Sequence, residues 1–566
     1  MADENDIHQR AQQAVASSLR HFHAQPQHTI DHLPRTQHDL ETLTVQEKIL
    51  ASAAVASGED AVAYYRPDGK GNFKLAEKFD LYDFDHRNPT RFDATLAASA
   101  LRDDTFATPD AVRDNATYQI PVRENGKVMG VVVIHATQAG SSRVQTAEEA
   151  AQNAGLPQGA PLKDVHESAD VAMAKLQMAA DIVQMNKAHL LKEGGRVLPE
   201  GTDIGTPKEK EAFMLQMAKD MFRAQPKFSP VPESEYAPVR DAKTAEELRL
   251  AIGKILPHDN TNQGLHVKNV ADMMKYTMEG LNDGKAKPVV TAEQVGRMEE
   301  LAMLHDVGKG QLSSAFLQNY ASPDPKEQTA RDEEAYGRNA NHAVFTGVQL
   351  DLYPATAAIV KNHHHGHDRY TEPELDKNLH GKKDEYVIAA DHASEKEVSV
   401  LSRMLRVADV TQRITDDEVG KPLHVALQEM AEKAGAIYGK DDQGKRTAIQ
   451  SFDLKKMDAN TIDADSLAFM IAHGVFHSFG QQREVEERAA GKVDGWRSKG
   501  ASKYDDSALS AVEKDILEKL HWPERKAEVE ARIEAQVTSD PALAEHAVSS
   551  QASLPRVQRT TAKITR

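Results

Sequence analysis

Residues 301–310 read LAMLHDVGKG, an apolar helical edge that runs straight into His305 and Asp306 and breaks at Gly308-Lys309. Farther along, residues 359–370 read IVKNHHHGHDRY, another apolar turn followed by consecutive histidines. Polar groups on a core-facing edge cost several kcal/mol unless something satisfies them. A bound metal would do so, and it is the first reading of these two stretches.

The surrounding sequence repeats the theme on five successive helical segments. Upstream of the His-Asp pair, Pro288 and a Thr291/Gln294 capping box predict a helix start, with Val295, Met298, Leu301 and Ala302 on its apolar face. Before that helix, HVKNVADMMKYTMEGLND places Val267, Val270, Ala271, Met274, Met278 and Leu281 at helical spacing, with His266 at the head of the face. NHAVFTGVQLDL opens on His342, and PATAAIVKNHHH opens on Pro354 and delivers His363 and His364 at its end. VSVLSRMLRVADVTQRIT carries Val398, Leu401, Leu405 and Ala408 and then sets Asp409 on the same stripe. Any one of these has a bland explanation: a hydrogen-bonded core histidine, a solvated aspartate, a surface run of histidines. Their succession argues for a metal site, since imidazoles with carboxylates suit iron, manganese, nickel or zinc and one carboxylate can bridge two ions.

Composition bounds the alternatives. The 566 residues, with 40% hydrophobic and 28% charged, describe a globular chain long enough for about three or four domains. Its longest strongly apolar run, VMGVVVIHA at residues 128–136, is under half of the roughly 20 residues a membrane helix needs. The acidic start MADENDIHQR does not resemble a signal peptide, so a cytoplasmic, bacterial-type setting is expected. Without cysteine there is no disulfide, iron–sulfur cluster, thiolate zinc site or thioether-linked bilin. A formal charge of −18 argues against general nucleic-acid binding, so an anionic substrate must be held by local charge.

The chain divides into five expected regions. Residues 1–40 read as a flexible N-terminal segment. Residues 41–140 read as a small α+β domain: a helix over EKILASAAVASG, then strands AVAYYR, NFKLAEKF, TYQIPVRE and KVMGVVVIHA separated by PDGKGN and ENGK turns. Residues 141–245 are Ala- and Met-rich with Gly/Pro punctuation and read as a linker. Its stretch DVAMAKLQMAADIVQMNKAHLL sets Val171, Leu176, Ile182, Val183 and Met185 on one stripe, suited to dimerisation or to ordinary packing. Residues 246–480 form an all-α domain that holds the polar constellation, and 481–566 a charged helical and disordered tail. His258-Asp259, in a turn-rich stretch after proline and without a trailing Gly-Lys, is rejected as a second His-Asp pair. His473 and His477 have i, i+4 spacing but no evident third ligand, and packing is the better reading for them.

The pattern H…HD…D on successive helices resembles the HD-domain phosphohydrolases, and HDVGKG followed by H…HH…D resembles their HD-GYP branch, over residues 250–475 or so. The 41–140 region resembles a GAF sensory domain. The HD-GYP resemblance implies hydrolysis of cyclic dinucleotides, chiefly cyclic di-GMP, with metal ligands His266, His305, Asp306, His342, His363, His364 and Asp409. It also implies that Lys309 neutralises the scissile phosphate. The family's HHExxDGxGYP loop reads HHHGHDRYTEP here: Asp368 and Pro373 are kept, His365 replaces Glu, Arg369 and Thr371 replace the glycines, and Glu372 replaces Tyr. Members with three metals carry a Glu where this chain has Asn262, so two ions are expected, iron or manganese first, with nickel, zinc or magnesium as further candidates.

A catalytic site of this kind would share Asp306 between two ions and use a hydroxide between them for in-line attack on phosphorus. His266, His305 and Asp409 would hold one ion, and His342, His363 and His364 the other. Asp306 and Lys309 are the catalytic candidates, and Lys309, Arg369 and His367 the substrate-binding ones. The expected activity is a cyclic-dinucleotide phosphodiesterase gated by the N-terminal sensory domain. Alternatives are a phosphohydrolase for another nucleotide and a non-catalytic, metal-stabilised relay for nucleotide or signalling partners. A homodimer through the linker helix is a further expectation.

Overall fold

A computed structural model describes residues 43–58, 61–80, 95–97, 118–135, 169–192, 195–199, 201–224, 233–255, 262–308, 346–363, 398–415, 420–453, 462–489, 491, 495–498 and 501–544. The first helix, α1 (Val45–Ser57), starts where Thr44 and Glu47 form a reciprocal capping box and ends at Gly58, which takes a left-handed conformation (φ 74°).

A five-stranded antiparallel sheet follows, with strands β1 (Ala61–Pro67), β2 (Asn72–Asp80), β3 (Thr95–Ala97), β4 (Tyr118–Glu124) and β5 (Lys127–His135) in the order β3-β2-β1-β5-β4. The β1–β2 turn is closed by Asp68, whose carboxylate accepts from the amides of Lys70 and Asn72. Asn125 and Gly126 make the two-residue β4–β5 turn, both at positive φ, as such hairpins require. Residues alternate between two buried faces: Val62, Tyr64, Ile120, Val132 and Ile134 on one, Ala63, Tyr65, Phe73, Val131 and Val133 on the other. Gly130 interrupts the valine run of β5 because the Tyr64 ring lies against it, and a Cβ there would come within 2.5 Å of that ring.

The principal helices that follow are α2 (Ala169–Met185), α3 (Pro207–Ala224), α4 (Ala245–Ile255), α5 (Asn262–Gly280), α6 (Ala292–Leu304), α7 (Pro354–Lys361), α8 (Val400–Thr415) and α9 (Leu423–Lys433). After a hairpin of β6 (Ala436–Lys440) and β7 (Arg446–Phe452) come α10 (Ala464–Ala472), α11 (Val475–Ala489), α12 (Asp506–Lys519) and α13 (Trp522–Ser539). Helices α5 and α6 form the central pair, with α8 and α11 against α5 and α3 against α6.

The first sheet face, α1, α2 and these helices share one continuous apolar core. The stretch read as a linker contributes Ile182, Val183, Phe213, Met214 and Met217 to it, all at 1% exposure or less. The stretch read as a charged tail contributes Leu509, Ile516, Val529, Ile533 and Val537 to it. The β6–β7 hairpin falls inside a region whose sequence reads as helical throughout. Its turn is held by Asp441, which accepts from the amides of Gln443 and Lys445.

Candidate metal centre

Four elements bring the polar constellation together. His266 lies in the first turns of α5, and His305 caps the C-terminus of α6 with Asp306 next in line. His363 follows the end of α7, whose first residue is Pro354, and Asp409 projects from α8. All five side chains are buried, from 0% exposure at His305 and His363 to 5% at Asp409. The helices are fixed from behind by a buried ionic network, in which Arg249 of α4 bonds Asp272 of α5 at 2.8 Å and Glu299 of α6 at 3.2 Å.

The inner atoms converge. His266 Nε2 lies 3.1 Å from His305 Nε2, 3.2 Å from Asp306 Oδ2 and 3.4 Å from Asp409 Oδ1. His305 Nε2 is 3.4 Å from Asp306 Oδ2 and 3.9 Å from Asp409 Oδ1. The second oxygen of Asp306 faces the other way, with His363 Nε2 3.9 Å from Oδ1.

What surrounds these atoms fixes which of them can bind. The Nδ1–H of His305 donates to the Ala302 carbonyl at 2.6 Å, that of His363 to the Val360 carbonyl, and that of His266 to Gln412 Oε1. Each acceptor is an oxygen, so each imidazole keeps its proton on Nδ1 and turns an Nε2 lone pair inward. Two such lone pairs 3.1 Å apart repel unless a cation lies between them. Donors about 2.1 Å from one ion, at angles of about 90–110°, sit about 3.0–3.4 Å apart, which is the spacing of His266, His305 and Asp306. The donor set therefore fits a divalent metal, and His266, His305 and Asp306 form the one potential metal cluster among the described residues.

Electrostatics favours the binding forms. Burial pushes the His305 imidazole down to about 4, only partly opposed by the charge on Asp306, so it is a neutral ligand at pH 7. Burial would raise the Asp409 carboxyl, but the cationic groups around it, Arg406 and Arg413 among them, hold it below the usual carboxylate range. Arg406 Nη1 takes Asp409 Oδ2 at 3.0 Å, leaving Oδ1 for the cluster. Thr346 closes the back of the site: its hydroxyl donates to the His305 carbonyl at 3.2 Å and accepts from the Gly308 amide at 2.9 Å.

Of the residues expected from sequence, His266, His305, Asp306, His363 and Asp409 meet at this centre. Lys309, His342, His364, His367 and Arg369 lie outside the described residues, as does the rejected pair His258-Asp259. His473 and His477 belong elsewhere. His473 bonds Glu530 at 3.0 Å, and His477 is held between Glu513 at 2.6 Å and Asp506 at 2.8 Å. Gln412, Thr346 and Arg406 were missed; for Gln412 and Arg406 the available signal was their i+3 and i−3 spacing from Asp409 on one helix face.

The HD domain family matches residues 252–414, a span that begins in α4 and ends in α8 and contains the whole cluster. Residues 252–414 are an HD domain, and that class points to metal-dependent phosphohydrolase chemistry. Comparison with curated proteins and with solved structures gives no match. No described helix is long and apolar enough to cross a membrane.

Proposed function

We propose that the protein is a metal-dependent phosphodiesterase that hydrolyses a nucleotide, with cyclic di-GMP or a related cyclic dinucleotide as the first candidate, in a cytoplasmic setting. The observation that carries this reading is the opposed placement of the two Asp306 oxygens, one 3.2 Å from His266 Nε2 and the other 3.9 Å from His363 Nε2. Such a carboxylate is built to bridge two ions. His266, His305 and Asp409 would hold one, and His363, with His342 and His364, the other. Iron or manganese suits these ligands best.

Divalent ions held there would lower the pKa of a water and polarise a phosphoryl oxygen. The chain supplies the rest. Carbonyls and Gln412 fix the imidazole rings, and Arg406 aims Asp409. Lys309, next to Gly308, would carry the charge that meets the phosphate in the transition state.

Control by the N-terminal sheet, in the manner of a GAF-like sensor, is part of the proposal. It is supported by direct contacts from α1 to the segment after Thr346: Ser52 Oγ donates to the Gln349 carbonyl at 2.6 Å and Lys48 pairs with Asp351 at 2.6 Å.

Metal analysis of anaerobically purified full chain, joined to turnover of cyclic di-GMP and a nucleotide panel, tests the reading. Two metals per chain are expected, with turnover lost by at least a thousandfold in Asp306→Ala. Bound metal with no turnover of any nucleotide would overturn it.

A further inference from the structure

Four arginines are buried among the described residues, Arg249, Arg297, Arg403 and Arg483, each at 6% exposure or less. Three of them have two partners each. Arg249 bonds Asp272 and Glu299, Arg403 bonds Asp463 and Gln536, and Arg483 bonds Glu486 and Glu487. Arg297, in the second turn of α6 and 3% exposed, differs. Its Nη1 donates to Glu300 Oε2 at 3.0 Å, while Nε and Nη2 are both buried without a hydrogen-bond partner.

Those two nitrogens form one edge of the guanidinium, the side-on fork that grips both oxygens of a carboxylate or a phosphate. Burying a charge with that fork unpaired is costly, and the one partner present offsets the cost only in part. Burial raises the Glu300 carboxyl to about 7, against the pull of Arg297. Near neutral pH the negative charge beside the guanidinium is therefore incomplete.

Arg297 stands where several elements meet. Helix α6 packs against both α3 and α7. One turn before Arg297, Gln294 Nε2 donates to the Leu543 carbonyl at 3.1 Å, in the turn Pro541–Ala544 that itself packs on α7. Burial, then the charges of Glu209 and Asp203, raise the phenol of Tyr353, the residue before α7, and Arg297 opposes them. The first turn of α7 adds Thr356, fully buried, with a hydroxyl that has no partner. His305 lies eight residues farther along α6, roughly 12 Å at 1.5 Å per residue, so this cluster is separate from the metal centre.

We propose that the unpartnered edge of Arg297 is a binding site for a small oxyanion, a phosphate or carboxylate group held where α6 meets α3 and the start of α7. Nε and Nη2 each donate to one of its oxygens. The helices that meet here end at His305 and His363, so an anion in this place braces both from the end away from the metal centre.

Thermal unfolding of the manganese-loaded full chain, in rising sodium phosphate or sodium acetate with sodium chloride at matched ionic strength as reference, tests this. The melting temperature of the wild-type chain should rise beyond the chloride reference, and the anion with the larger rise identifies the oxyanion the site takes. Arg297→Lys keeps the charge but has no fork, and should need roughly tenfold more oxyanion for the same rise. Arg297→Gln should lose the excess rise altogether. Phosphate bound at the metals, and the general effect of phosphate on folded proteins, act on all three chains alike, so the difference between chains reports this site and no turnover enters. A rise no larger than in chloride, or one of equal size in all three chains, would overturn the inference and leave the fork to water.

Discussion

Gln412 holds no metal in the arrangement described above, yet it decides which nitrogen of His266 is offered to one. Partners of this kind typically contribute ten- to hundredfold in metal affinity. Gln412→Leu should weaken manganese binding by about that factor in a competition titration, while Gln412→Glu, which keeps the acceptor, should retain it. Thr346 acts on the backbone of the same loop. Replacing it by Val leaves the buried Gly308 amide without its acceptor, a loss of about 1–3 kcal/mol that urea unfolding would register. At this scale the sequence was legible where the letter itself carries the chemistry: His266, His305, Asp306, His363 and Asp409 are ligand types on apolar stripes. Gln412 and Thr346 are ordinary helical residues by letter, and only their partners reveal them.

Helices α2 and α3 meet at a pair of carboxylates that Gln216 bridges, with Nε2 3.1 Å from Asp181 and 2.9 Å from Asp220. Burial, and then the charge on Asp181, raises the Asp220 carboxyl to about 8. The folded chain thus holds this proton more tightly than the unfolded one. The associated stability is fully present below the ordinary carboxylate range and is lost as pH rises through about 8. Asp220→Asn, which cannot ionise and can still bond Asp181, should raise stability at pH 8.5 by roughly 1–3 kcal/mol, one pKa unit being about 1.4 kcal/mol. Urea midpoints at pH 4 and pH 8.5 check this, with little difference between the chains expected at the lower value. That interface also shows how elements were read. Strand alternation, the Asn-Gly turn and the Thr291 capping box were plain, because each is a local preference that the structure keeps. Helix α2 was found as a periodic stripe but placed in a linker, and α3 was passed over within it, since Gly/Pro punctuation marks loops without saying whether the pieces between them pack. The β6–β7 hairpin escaped notice because AIYGK and RTAIQSF are short and half polar, and pairing across the strands makes them a unit.

Across the whole molecule, the core runs from Val62 and Ile134 in the sheet to Val529 and Ile533 in α13 without a break. A chain lacking residues 1–168 would strip from α2 the helix α1 that packs against it. It should therefore lose most of its thermal stability, and not merely its regulation. In the intact chain, hydrogen exchange should show the slowest amides of β1, β5, α5 and α8 opening together; independent protection of the sheet would contradict this. The meeting of Ser52 and Lys48 with the segment behind Thr346 adds a further consequence. Linkage is reciprocal: if a small molecule seated on the sheet changes metal affinity by some factor, filling the metal centre must change the affinity for that molecule by the same factor. The iron or manganese supply of the cell would then set how sensitively the protein listens.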